Sequence, residues 1–172
     1  MKTFAVNFYG IGGHAYGSFA KVANPLHAAA RAVAKIADIQ VPASPKTTYA
    51  VSNFHAGNDA GVHAIVPQAT IKMNMRSDAQ DELDIMYGKA LECIKQACDE
   101  ETARWGMDTI TYDIVTYVDV KAGTQSMDAP IVQAIYTLIK DTGIEPSFGN
   151  GGNTNATPPI AKGVPAVCIG GG

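Results

Sequence analysis

The order of elements along residues 1–122 predicts an α+β fold in which two helices cover one face of a four-stranded antiparallel sheet. Three observations carry that reading. Four segments have strand-like composition or alternation, helix-start signals fall at Asn24-Pro25 and at Ser77, and the succession runs strand, helix, strand, strand, helix, strand. That succession is the ferredoxin-like β-α-β-β-α-β arrangement.

Taken in order, Phe4-Ala5-Val6-Asn7-Phe8-Tyr9 reads as the first strand. Asn24 then supplies an N-cap and Pro25 the first helical position, after which Leu26, Ala30, Val33 and Ala37 recur on one predicted face. The many alanines of that helix allow another element to approach closely. Pro42 and Pro45 end it, and Thr47 to Phe54 forms a β-branched and aromatic strand. Gly57-Asn58-Asp59-Ala60-Gly61 is a loop of turn formers. In Ala69 to Arg76 the side chains of Ile71, Met73 and Met75 face one way and those of Lys72, Asn74 and Arg76 the other. One face of that strand is therefore covered and the other open. Ser77 with Gln80 gives a capping-box signature for a long helix carrying Leu83, Tyr87, Leu91, Ile94 and Cys98, closed by Gly106 after Trp105. Ile110 to Val118 supplies the fourth strand.

Beyond Gly123 the character changes. A helix is predicted from Asp128, with Ile131, Ile135 and Leu138 on one face and a stop at Gly143. A glycine- and asparagine-rich loop follows from Gly149 to Thr157, then an apolar strand from Val164 to Ile169 and three closing glycines. Three glycines directly after a strand lead to the expectation that a longer protein continues from here.

The bulk properties narrow the function. A chain of 172 residues is long enough for one good core and a smaller appendage. The 13 Lys and Arg are spread along it and answered by 16 acids, for a net charge of -3, which argues against a nucleic-acid partner. No apolar run approaches the roughly 20 residues that span a bilayer. Met1-Lys2-Thr3 leads straight into a strand without the order of a signal peptide, so a cytoplasmic location is expected. Cys93 and Cys98 fall on different sides of one helix, and Cys168 lies in an apolar run. All three are expected to be reduced, buried thiols.

Gly12-Gly13-His14-Ala15 is the chain's most suggestive local feature. It sets a titratable ring on a glycine-softened turn between a strand and a helix, where a side chain is offered to something outside its own core. The same residues also suit a plain turn with a solvent-facing histidine. His27, on the alanine-rich helix, and His55, in a strand, lack partners at metal-ligand spacing and read as packing or surface residues.

Four stretches together resemble the dinuclear-zinc peptidase and deacylase family that includes peptidase T, acetylornithine deacetylase and succinyl-diaminopimelate desuccinylase. They are Gly12-Gly13-His14-Ala15, Asn24-Pro25-Leu26, the block from Gly57 through His63-Ala64-Ile65 to Arg76-Ser77, and Gly151-Gly152-Asn153-Thr154-Asn155-Ala156 followed by Gly163-Val164-Pro165-Ala166-Val167. The resemblance implies a lid and dimerisation domain over residues 1–122 and an incomplete segment of an α/β catalytic domain over 123–172. It implies that His14 reaches the partner subunit's active site as an oxyanion donor and that Arg76 holds a substrate carboxylate. His63 stands where the family usually has Asn, and Asn155 where it usually has Asp. By resemblance both are substrate contacts of altered chemistry.

The same resemblance implies two zinc ions in a complete parent enzyme and none held by this chain, whose stretches match no metal ligand of the family. Two readings follow. One is a fragment of a zinc-dependent hydrolase of peptides or N-acyl amino acids, dimeric through the lid and inactive alone. The other is a non-enzymatic, self-associating module that binds a small carboxylated ligand. An RNA-recognition sheet would share the order of elements, but the basic and aromatic strand signature that stacks bases is missing.

Overall fold

The computed structural model describes residues 1–105, 110–149 and 154–170. In chain order the elements are β1 (Lys2–Tyr9), the short β2 (Gly13–His14), α1 (Ala15–Ser18), α2 (Pro25–Ala37), β3 (Thr47–Ala56), the short β4 (Ala64–Ile65), β5 (Gln68–Ser77), α3 (Gln80–Trp105), β6 (Thr111–Asp119), α4 (Pro130–Asp141) and α5 (Thr157–Ala161). The long strands form one sheet in the order β3-β5-β1-β6, antiparallel throughout. With the two short strands set aside, this is the ferredoxin-like α+β arrangement expected from the sequence.

Period-2 alternation decides which face is covered. Phe4, Val6 and Phe8 of β1 and Ile71, Met73 and Met75 of β5 are buried in one cluster with Leu83, Met86, Ala90 and Ile94 of α3 and the alanines of α2. The opposite face is a polar ladder: Thr70 Oγ1 donates to Asn7 Oδ1, Asn7 Nδ2 to Asp113 Oδ1, and Asn74 Nδ2 to Thr3 Oγ1.

Helix α2 opens as expected, with Asn24 Oδ1 accepting from Leu26 N–H at 3.0 Å. Its buried stripe is Pro25, Ala28, Ala29, Ala32 and Ile36, one position off the predicted one. Ala30 and Ala37 are exposed, and Leu26 and Val33 only partly buried. Alanines fill the middle of that stripe, where α2 sits against both the sheet and α3, and the larger Pro25 and Ile36 are buried toward its two ends. The expected Ser77–Gln80 capping box does not form. Ser77 Oγ accepts from Ala79 N–H, while Gln80 donates to Asp84 and accepts from Ala122 N–H. The predicted stop at Gly106 lies outside the described residues.

The C-terminal part departs further from expectation. Helix α4 begins at Pro130, and its buried residue is Val132, while Ile131 and Leu138 are exposed. Val164 to Ile169 is not a strand. The run finds no ladder partner among the described residues, and its tie is to Gln125, whose side chain donates to Ala166 O and accepts from Ala166 N–H. Cys168 is accordingly exposed, Cys93 half-buried, and only Cys98 buried. Burial and the charge of Asp99 push the Cys98 thiol up to about 12, which leaves it inert near neutral pH.

Candidate functional site

The first site is built where β1 leaves the sheet. Gly10 N–H donates to Pro67 O at 2.9 Å, which holds the start of the loop against β5. Gly12 then takes φ 71°, and a Cβ there would sit 3.1 Å from Ile65 O and Pro67 N, so the tight approach needs glycine. Next, β2 pairs with β4 in the register Gly13↔Ile65 and His14↔Ala64. Ala15 N–H donates to His63 O at 2.8 Å. This small ladder brings two of the expected site residues together: the rings of His14 and His63 lie 5.0 Å apart between centroids, tilted by 38°.

Both imidazoles are exposed. His14 also caps α1, with Tyr16 N–H donating to its Nδ1 at 3.3 Å. A neutral ring that accepts at Nδ1 carries its proton on Nε2, so His14 presents an N–H donor outward. Coordinating a metal through Nε2 would move that proton to Nδ1 and cost the Tyr16 bond. Tyr16 is 94% and Val62 92% exposed beside the two rings, so the tip also presents apolar surface.

Arg76 is at the other end of the sheet. The pairings Tyr9↔Gln68 and Lys2↔Met75 set the His14 loop beyond one end of β5 and Arg76 at the other. The eight residue steps from Gln68 to Arg76 span about 26 Å at the rise of a β-strand. Arg76 Nε donates to Asn74 Oδ1 at 2.9 Å, and among the described residues the guanidinium has no carboxylate partner. It opens on a cleft of about 610 Å³ between the sheet and the C-terminal segment, lined also by Lys121, Tyr136, Phe148 and Thr154. Asn155 is exposed in the turn before α5 and is not among the lining residues. Gly151, Gly152 and Asn153 lie outside the described residues. The structure therefore joins His14 to His63 and leaves Arg76 and Asn155 apart from them.

Sequence reasoning missed Glu101. Its side chain is fully buried, continuing the inner stripe Leu83, Met86, Ala90, Ile94 and Ala97 of α3, and that spacing was the available signal. His27, read as a lone histidine, lies 3.3 Å from it through Nδ1. Among the described residues no three His, Cys, Asp or Glu side chains converge as metal ligands. The described residues do not fit a pair of zinc ions.

Residues 1–102 match the family described as the peptidase dimerisation domain. The chain belongs to that family. Among solved structures it is similar to an aminobenzoyl-glutamate utilization protein from Klebsiella pneumoniae, with a TM-score of 0.69 at 20% identity, covering 91% of this chain and 38% of that one. It is also similar to aminopeptidase PepT from Bacillus cereus, with a TM-score of 0.66 at 18% identity over 94% of this chain and 41% of that one. A tripeptidase from Staphylococcus aureus gives a TM-score of 0.71 at 12% identity over 95% and 41% of the two chains. At these identities the likeness is one of fold. No curated protein sequence matches the chain significantly.

Proposed function

We propose that this chain is the lid, residues 1–122, and an incomplete segment of the catalytic domain, residues 123–172, of a zinc-dependent amide hydrolase acting on small peptides or N-acyl amino acids. In this reading it forms a homodimer through the lid, His14 donates to the tetrahedral oxyanion in the partner's active site, and Arg76 holds a substrate carboxylate. His63 and Asn155 are further substrate contacts. The zinc ions belong to the complete hydrolase, and the chain alone is inactive.

The observation that carries the reading is the separation of His14 from Arg76 by the length of β5. No small substrate touches both within one chain, whereas a two-fold dimer can present the tip of one lid to the cleft of the other. A donor aimed where negative charge develops lowers the barrier more than it tightens ground-state binding.

A surface for self-association is available. Ala30, Ala34 and Ala37 form an exposed stripe on α2, beside the uncovered edge strand β3. An edge strand leaves backbone donors and acceptors unpaired, and joining two sheets there would satisfy them. Free cysteines throughout, and no described helix long and apolar enough to cross a membrane, support a cytoplasmic setting.

Sedimentation of the chain at high micromolar concentration tests the assembly. A dimer mass that dissociates on dilution is expected, and a concentration-independent monomer would overturn it.

A further inference from the structure

Glu101 is the one charged side chain buried among the described residues, and the chemistry attributed to His14, His63 and Arg76 does not use it. A carboxylate is tolerated away from water only where its oxygens are hydrogen-bonded and its charge is answered. Here Asn24 N–H donates to Oε1 at 3.3 Å, Trp105 Nε1 to Oε1 at 3.1 Å and Arg31 Nε to Oε2 at 3.2 Å.

Two of those donors tie down the loop that carries His14. Asn24 is the last residue of that loop before α2. Trp105 receives the ring of Phe19 edge-on, with centroids 5.2 Å apart and planes at 74°. Phe19 ends α1, its N–H donating to Ala15 O at 3.0 Å, and His14 begins α1. The next residue, Ala20, holds φ 58°, a left-handed conformation that a residue with a Cβ keeps only where its surroundings enforce it.

We propose that Glu101 is a positioning residue for His14. The buried carboxylate fixes the loop from His14 to Asn24 at two points, directly through Asn24 and indirectly through Trp105 and Phe19, and so sets how the imidazole projects beyond the sheet. This rests on the reading of His14 as a donor across the dimer. The alternative is a plain tie between α2 and α3 through Arg31, which would stabilise the fold without governing the loop.

Glu101→Gln in the 172-residue chain separates the two, because the amide replaces one acceptor oxygen by a donor that faces donors. The readouts are the ring resonances of His14 and His55 by NMR and amide hydrogen exchange along the chain. The His14 signal is expected to shift and the amides of residues 16–21 to exchange at least about tenfold faster, with His55 and the amides of β1 and β5 unchanged. Unchanged loop exchange, or an equal rise in β1 and β5, would overturn the proposal. So would the same loop effect in Arg31→Gln, which removes only the tie between the helices.

Should Glu101→Gln not fold, Trp105→Phe removes the indole donor while keeping a ring against Phe19. It is expected to speed loop exchange selectively, and a wild-type loop there would overturn the proposal. None of these readouts depends on hydrolysis. Normal turnover in a His14→Ala hydrolase would sink the donor role and leave the loop measurement standing.

Discussion

His14 and His63 stand side by side across the β2–β4 ladder, ring centroids 5.0 Å apart, both exposed and outside the buried core cluster. Tyr16 N–H occupies Nδ1 of His14 and leaves Nε2–H as the outward group. The arrangement suits a hydrogen-bond donor to an anionic oxygen.

His14→Ala should therefore leave folding almost untouched and strike turnover. The side chain is exposed, so its loss opens no cavity, and unfolding free energy should change by less than about 1 kcal/mol. In a full-length hydrolase carrying this segment, removing one oxyanion donor should lower kcat about 100-fold or more with KM nearly constant. Denaturant titration and steady-state kinetics check the two halves.

Arg76 should behave in the opposite way. Its planar guanidinium, anchored through Nε to Asn74, suits a carboxylate in a paired geometry that an ammonium does not reproduce. Arg76→Lys should raise KM about tenfold or more for substrates with a free carboxylate, and much less for their amides. Comparing the two substrate classes in one variant checks this. Equal losses would contradict it.

Acid should weaken the fold partly through Glu101. Burial pushes its carboxyl up, but hydrogen bonds from Trp105, Asn24 N–H and Arg31, with His27 nearby, hold it below the ordinary value of 4.5. A carboxyl depressed in the folded state contributes stability that is complete above its unfolded pKa and is lost as pH falls through the folded one. The stability gap between wild type and Glu101→Gln should thus narrow as pH drops below about 4.5. Urea denaturation from neutral pH down to about pH 3 measures that gap, and a constant one would contradict the assignment.

Dimer formation should be sensitive to α2. Ala34 lies on the exposed alanine stripe, so Ala34→Arg places a long charged side chain where two helices would approach. The dimer dissociation constant should rise at least about tenfold while the chain's own unfolding changes by about 0.5 kcal/mol or less. Sedimentation equilibrium and denaturation check both.

The four long strands and three long helices were legible because their period-2 or helical patterning, turn signals and caps persist over many residues. The short β2, α1 and β4 were not, since a two-residue ladder between His14 and Ala64 exists only once distant parts of the chain meet. The pairing of His14 with His63 was invisible for the same reason. The face of α2 was misplaced because Leu26 and Val33 drew the apolar pattern, while the close packing there selects alanine. Val164 to Ile169 has the composition of a strand, but composition says nothing of whether a neighbouring strand is there to pair with it. Glu101 drew no reading from the sequence, although it continues the inner stripe of α3. Its burial depends on donors from Asn24 and Arg31, which the spacing within α3 does not contain.

In the proposed dimer His14 of one lid serves the site containing Arg76 of the other, and mixing two impaired variants of the full-length hydrolase reads out that sharing. A mixed dimer of His14→Ala and Arg76→Ala subunits has one site with both groups intact, so random mixing should restore about a quarter of wild-type activity. Recovery to that level, with substrate held well below KM so that each variant alone is near zero, is the expected result. No recovery despite verified mixed dimers would contradict the claim, because His14 and Arg76 would then serve the same chain.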